Sequence, residues 1–442
     1  MTLALDHRRS LRRYTQLGWR MRSSGTQSRT REDKLLGRAR LTWYLLFFNV
    51  LGSGVSPVLH IPYRVVQVLT QGALGVALIL AISINPRFRL RPNLYLGVFT
   101  VLAITSLMSS IRFISVGTDY RAMRLALFVA TMWLLTPWWG RRDLLLLRAQ
   151  VVWLIVIIAS VLLGIALAPH SAIGGGRLSG VLWPIPATQV AHYSAELSGL
   201  ALVLWASHLM RRYVALLLAL VSLVVLIWAH TRTALVAEAI ATAFALGSLF
   251  TSHRRVRHLL ATSVLTIALV GVPLSPLVVN WLARGQSTSQ LSSLTGRTQF
   301  WSAVFAEQRT LTQRVIGDGI SNGSINPPQS NAGVVGGRPI DSSWVLDYQD
   351  QGIVGDVLTG LMFIVLLVNA AFASKGPRRA LALFLTIYCL IASFTEDGAG
   401  LASQYAMDMT LAASLLVPVG ISGLGRRWRG ENRQSPSASP ML

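Results

Sequence analysis

The stretch LRAQVVWLIVIIASVLLGIAL, Leu147 to Leu167, holds a single charged residue, Arg148, in 21 positions. A helix of that length reaches across the roughly 30 Å hydrocarbon core of a bilayer. Comparable apolar runs recur along the 442 residues, and the mean hydropathy of +0.53 is too high for a soluble enzyme of this size. The expected fold class is all-α, a polytopic integral membrane protein. Twelve helical spans are expected, near 41–59, 63–84, 94–115, 122–139, 147–167, 190–209, 213–229, 232–250, 259–279, 351–374, 380–395 and 406–424. No internal repeat is visible. The single cysteine, Cys389, lies inside one run, which leaves neither a disulfide framework nor a thiolate metal site.

Charge gives the chain its direction. The net charge is +23 and almost all of it is arginine, with Lys34 and Lys375 the only lysines. Eleven Lys/Arg fall in the first forty residues, a basic and largely flexible arm able to touch anionic headgroups. The arm is too long, and lacks a small-residue cleavage site, to be a removed signal peptide. Basic arms beside a first span are common orientation signals, so no nucleic-acid partner is expected. With the amino terminus inside, the inner linkers are 86–91, 140–148, 211–212, 252–258 and 375–379. Together with both tails they hold 29 of the 40 Lys/Arg. The alternation supports twelve spans with both termini cytoplasmic. The expected organisation is a basic tail (1–40), spans one to nine (41–279), a large outer loop (280–350), spans ten to twelve (351–424) and a cytoplasmic tail (425–442).

Two outer segments, about 168–190 and 280–350, are too long to be mere turns, and loops of that length carry function or are disordered. The second contains GRTQFWSAVFAEQRTL, where Phe300, Trp301, Val304 and Phe305 recur at helical spacing. That pattern fits a short helix in the outer membrane–water interface, or equally a surface helix packed on the spans. GDGISNG at 317–323 has the composition of a calcium loop but lacks its bidentate glutamate and reads as a turn.

Charges at membrane depth cost roughly 2.5–3.5 kcal/mol each on insertion scales, so they mark sites by default. WAHTRTALVAEA puts His230 and Arg232 at an outer turn with Glu238 less than two turns further in. Arg232 either faces a protein-lined cavity or snorkels to headgroup phosphate, and Glu238 is a candidate counter-ion. Arg177 follows a flexible GGG, and WPIP stiffens the chain before His192 and Glu196 enter the sixth span. His192 is a binding residue or a satisfied structural histidine. Arg297 stands just ahead of the short outer helix. Arginines converging on an outer cavity suit a phosphate or pyrophosphate, whose oxygens guanidinium binds bidentately. There is no Walker loop, no dinucleotide-binding glycine pattern and no helical His-x₃-His metal pair.

Four stretches in order, RLSGVLWPIP, TRTALVA, LTGRTQFW and DSSWVLDYQDQGIVG, together resemble the O-antigen ligase/polymerase superfamily of bacterial glycan-assembly membrane proteins. The resemblance covers roughly residues 40–425. It implies a metal-independent, inverting glycosyltransferase without cofactor in the bacterial plasma membrane. Such an enzyme moves a glycan from a polyprenyl (undecaprenyl) diphosphate carrier to a glycan or lipid acceptor at the outer face. Arg232 and Arg297 would then bind the donor diphosphate and offset charge on the leaving group. Arg177, His192, Arg338 and Asp350 would hold substrate. Asp341 and Ser342 fall where ligase relatives carry His-Asn, Asp350 at the family's acid, and Gly352 and Gly355 at its glycines. No histidine follows His258, so Asp341 is the candidate base, or instead a cap on the helix it precedes. Asp347 and Asp350 are expected as a polar rim above Gly352 and Gly355, read as helix-packing glycines. Polymerisation is favoured over ligation to lipid A, with a ligase for another envelope acceptor and a transporter or flippase of lipid-linked glycan as alternatives.

Overall fold

The computed structural model describes residues 28–51, 56, 58–112, 116–250, 297–320, 324–325 and 338–418. The expected ninth span at 259–279, much of the 280–350 loop, residues 1–27 and the tail beyond 418 lie outside them. The described chain is all-α apart from a two-residue antiparallel ladder. In order the helices are α1 (Ser28–Val50), α2 (Tyr63–Ile84), α3 (Leu94–Arg112), α4 (Val116–Leu135), α5 (Leu145–Leu167), the single turn α6 (Pro169–Ala172), α7 (Ala187–Ala206), α8 (Arg212–Ala229), α9 (Arg232–Leu249), α10 (Arg297–Ala306), α11 (Leu311–Ile316), α12 (Ser343–Phe372), α13 (Pro377–Ala392) and α14 (Gln404–Leu416). The ladder pairs β1 (Ser324–Ile325) with β2 (Arg338–Pro339).

Six helices are long and apolar enough to cross a membrane: Arg64–Ile84, Leu94–Arg112, Leu145–Leu167, Arg212–Ala229, Arg232–Leu249 and Ser343–Phe372. Several such helices are what a multi-pass membrane protein carries. The count among the described residues is half the twelve expected; the ninth, 259–279, lies outside them, and others fall short in length or hydropathy. α13 has 16 residues and α14 has 13, so at 1.5 Å per residue α14 is about 20 Å long, short of a full crossing. α14 is buried from Gln404 to Leu415, and fifteen of the twenty α7 residues are buried too. These helices face protein, which tolerates the polar residues that lower their hydropathy. α8 differs: Leu216, Leu217, Leu220 and Val224 are exposed on its outer side. α1 also starts earlier than expected, at Ser28, because SRTREDKLLGRAR is rich in good helix formers. The arm expected to be flexible is therefore helical over its last thirteen residues, 28–40.

The core holds polar groups as well as apolar ones. Gln150 of α5 accepts the Trp43 indole N–H at 2.9 Å and donates through Nε2 to Glu196 and Asp408, both at 2.8 Å. Gln404 donates to the other Glu196 oxygen at 2.9 Å. One amide thus joins α1, α5, α7 and α14, with its donors and acceptor all engaged.

α12 is broken at Gly352 (φ 68°, ψ −163°). The break frees the carbonyls of the preceding turn, which in an apolar setting must find donors. The segment after α10 supplies them. Asp318 N–H donates to Gln349 O at 3.0 Å and Gly319 N–H to Asp350 O at 2.9 Å. The Arg309 guanidinium reaches Tyr348 O and Gln349 O at 3.4 and 3.5 Å and lies 5.4 Å from the Tyr348 ring centre. Arg309 is a buried latch paired with Glu307 at 2.9 Å and Asp318 at 3.5 Å. Burial pushes the Asp318 carboxyl above its usual range, and Arg309 opposes that push. The glycine-rich turn expected around 317–319 is present, with Gly317 and Gly319 at φ 75° and 89°. α10 packs on the first turns of α12 through Val304 against Ile340, Val345 and Leu346, while Phe305 stays exposed.

A Cβ at position 352 would lie 2.5 Å from the Val315 backbone, in a conformation open only to glycine. Gly352 therefore admits the close approach of α11, where helix-on-helix packing was expected. Gly352→Ala should cost at least ~2 kcal/mol of stability. Gly247→Ala, where a Cβ meets nothing within 4 Å, should be neutral or stabilising by up to about 1 kcal/mol. Unfolding of both variants in detergent checks the pair.

Candidate functional site

Helix direction gathers several of the sequence candidates at one end of the bundle. α9 packs along α13 and α7. The turn before α9, the start of α7, the start of α12 and the loop after α13 all lie at that end.

The loop 393–403 is built onto the first turns of α12 by the DSSW stretch. Ser343 N–H donates to the carbonyls of Ser393 and Glu396, both at 2.9 Å, and its hydroxyl donates to Glu396 O at 2.9 Å. That hydroxyl also accepts the Ala399 N–H at 3.1 Å, and the Trp344 indole donates to Ser393 Oγ at 3.1 Å. The N-cap position belongs to Ser342, without a side-chain capping bond. The Ser343 N–H that Asp341 was expected to cap is thus taken by loop carbonyls.

These bonds set Glu396 and Asp397 beside Asp341, a grouping that reading the motif stretches did not foresee. Asp397 keeps solvent access while protein crowds around it. That crowding, then the charges of Glu396 and Asp341, raise its carboxyl from 3.8 to about 6, with its own backbone N–H and His192 opposing. A water-accessible carboxyl tuned towards neutrality is suited to proton transfer. The signal was available: TEDG is an adjacent acid pair in the short linker between the last two expected spans.

His192 is buried beneath this loop. Its Nδ1 lies 2.5 Å from Tyr388 Oη and its Nε2 lies 3.2 Å from Tyr405 Oη and 3.8 Å from Glu396 Oε1. Both tyrosine rings meet the imidazole edge-on, at 5.8 and 5.6 Å between centres. With both ring nitrogens engaged, His192 has the surroundings of a structural histidine that supports the loop from below.

Arg177 and Arg232 meet at the turn between α8 and α9. Arg177 Nε donates to Ala229 O at 3.2 Å and its Nη2 to Thr231 Oγ1 at 3.1 Å, while Leu178 N–H donates to Trp228 O at 3.0 Å. Arg177 so pins the turn whose next residue, Arg232, opens α9; His230 provides the reversal at φ 51°. Glu238, expected as counter-ion to Arg232, hydrogen-bonds Ser198 of α7. Arg297 is the first residue of α10 and Arg338 the first of β2; the side chains of both lie outside the described set.

Asp347 and Asp350 are fully buried, where an exposed polar rim was expected. Asp347 accepts the Thr359 hydroxyl at 2.8 Å, and its carboxylate packs on Gly400, where a Cβ would come within 2.6 Å. The loop thus packs directly on Asp347. Among the described residues, no three His, Cys, Asp or Glu side chains converge as a metal set.

Comparison with protein-family models and with curated proteins finds no match.

The raised Asp397 carboxyl carries a pH signature. A group raised on folding contributes stability fully below its unfolded value near 3.8 and loses it as pH rises through about 6. Asp397→Asn should therefore melt with wild type at pH 4 and above it at pH 7.5. Parallel melting curves across that range test the assignment.

Proposed function

We propose that the protein is a membrane glycosyltransferase moving a glycan from a polyprenyl diphosphate carrier to an acceptor hydroxyl at the outer membrane face. Polymerisation of a carrier-linked glycan is the form we favour. The observation that carries the reading is the placement, at the same end of the bundle, of an arginine-pinned turn (Arg177, Arg232) and a carboxyl cluster (Asp341, Glu396, Asp397). In this reading the chain has twelve spans with both termini cytoplasmic in a bacterial plasma membrane, and the cluster faces outwards.

The chemistry divides between the two halves. Arg232, with Arg297, binds the diphosphate, and its fixed charge offsets the negative charge that grows as the bond from the anomeric carbon to phosphate oxygen breaks. The acceptor oxygen attacks that carbon from the opposite face and inverts it. Its proton passes to a carboxylate, Asp341 or its neighbour Asp397. A carboxyl raised by neighbouring acids is a better proton acceptor than an isolated one. Arg177 acts through the turn it holds.

A transporter of the same lipid-linked substrate is the second reading, and one observation favours it. Glu196, Asp408, Gln150 and Gln404 place polar groups deep in the bundle core. Such groups add to Glu238 and Asp356, two carboxyls within the spanning helices α9 and α12.

Purified protein supplied with a defined lipid-linked oligosaccharide separates the readings. Lengthened carrier-linked chains are expected from wild type. Arg232→Ala should lower the rate by about 10²-fold or more, and Asp341→Asn or Asp397→Asn by about 10²- to 10⁴-fold. Glycan on a separate acceptor would mark a ligase. Unchanged donor under every condition, with substrate crossing the bilayer in vesicles, would replace the enzyme reading with transport.

A further inference from the structure

At the opposite end of the bundle, where α5 begins, the 138–144 turn that follows α4, the start of α13 and the end of α14 enclose a small half-open recess. Several of its lining residues carry donors. The indole N–H groups of Trp138 and Trp139 are buried there without an acceptor among the described residues, as is Nη1 of Arg378. Both tryptophans are at least nine-tenths buried, at 9% and 2% exposure, so water does not meet this need from outside. Leu145, Leu146 and Leu147 also line the space. They form the first turn of the 23-residue α5, which has no side-chain cap and no acid in that turn. Their N–H groups and the positive end of the helix therefore face the same volume.

The surrounding backbone is already committed. Arg91 Nη1 donates to Trp139 O at 3.1 Å, Gly140 N–H donates to Ser414 O at 3.2 Å, and Arg378 Nη2 bonds the Arg141 carbonyl. Arg141 lies 5.5 Å from the Trp138 ring centre and is paired with Asp143 at 3.2 Å and Glu32 at 3.8 Å. These two acids offset the charge of Arg141, and Asp143 acts on Arg378 as well, while Arg378 contributes its guanidinium to the recess lining. Convergent donors from two indoles, a guanidinium and a helix amino terminus suit a multi-oxygen anion, one oxygen of which enters the recess from its open side while the rest of the group stays outside.

We propose that this recess binds a phosphate-bearing anion, supplied by a lipid headgroup or by free phosphate. The site is distinct from the carboxyl cluster and does not rest on the glycosyltransferase reading. It lies among the arginine-rich linkers 86–91, 140–148 and 375–379, where anionic headgroups are most strongly attracted.

The test is thermal unfolding of the full chain in neutral detergent, titrated separately with short-chain phosphatidylglycerol, sodium phosphate and short-chain diacylglycerol. A ligand of the folded state raises the melting temperature saturably. Phosphatidylglycerol or phosphate should do so and diacylglycerol should not. The apparent affinity should fall at least tenfold in Arg378→Gln and in Trp139→Phe, which keeps an aromatic ring but removes the N–H. Saturation by phosphatidylglycerol alone identifies a lipid headgroup, and saturation by inorganic phosphate identifies a free anion. No saturation by either, or wild-type affinity in the variants, overturns the site. Should Arg378→Gln fail to fold, Trp139→Phe decides by itself.

Discussion

The rest of the carboxyl-bearing end of the bundle depends on the break in α12. A helix interrupted among apolar neighbours leaves carbonyl groups that water cannot reach, and each is costly until a donor arrives. Gly352 creates that demand and the 307–319 segment meets it with Arg309 and two backbone N–H groups. Because these donors are obligatory, the segment after α10 cannot drift from the helix. The first turns of α12 are held at a fixed angle, and those turns carry Ser343, Trp344 and Asp347, which in turn hold loop 393–403. One conformational requirement at a glycine thus propagates to the position of Asp397.

The same need for internal partners shapes both ends and the middle of the bundle differently. In the middle, Gln150 satisfies two carboxylates and an indole, closing a network across four helices. At the end with the acids, carboxyl groups are crowded by one another and by a partly open loop, which leaves Asp397 poised for a proton. At the arginine-rich end the imbalance runs the other way, with buried donors exceeding acceptors. Polar excess of opposite sign at the two ends of an apolar bundle is a chemical asymmetry that packing alone does not require.

Much of the helical framework was legible in hydropathy. The expected runs 63–84, 213–229 and 232–250 fall within a residue of Tyr63–Ile84, Arg212–Ala229 and Arg232–Leu249, because lipid-facing helices are apolar along their length. Helices enclosed by protein obey a weaker rule. α14 is brief and polar in places, and α12 opens eight residues before its expected start, since Ser343 and Asp347 bond tertiary partners that no hydropathy window registers. Arg177 and Arg232 were recognisable as outer arginines, and their meeting at one turn is tertiary information. The Gly352 break was visible only as a glycine. Its left-handed φ depends on the approach of α11, from a segment distant in sequence.

The acids of DSSWVLDYQDQGIVGD turn out to have unlike roles, and the difference bears on mechanism. Asp347 and Asp350 are fully enclosed, so neither is placed to meet a solvated acceptor. Asp341 remains partly exposed ahead of the helix, and Ser343 organises the junction with the loop. A lone aspartate at the position of a base would ordinarily be too acidic to take a proton efficiently near neutral pH. Beside Glu396 and Asp397 that objection loses force, because adjacent negative charges favour the protonated form of whichever carboxyl is most crowded. In the proposed transfer, an acid where ligase relatives carry a histidine is therefore a workable substitution only in company. The loop that supplies the company is held in place by the two serines' own stretch of α12, so the base and its tuning group belong to one structural unit.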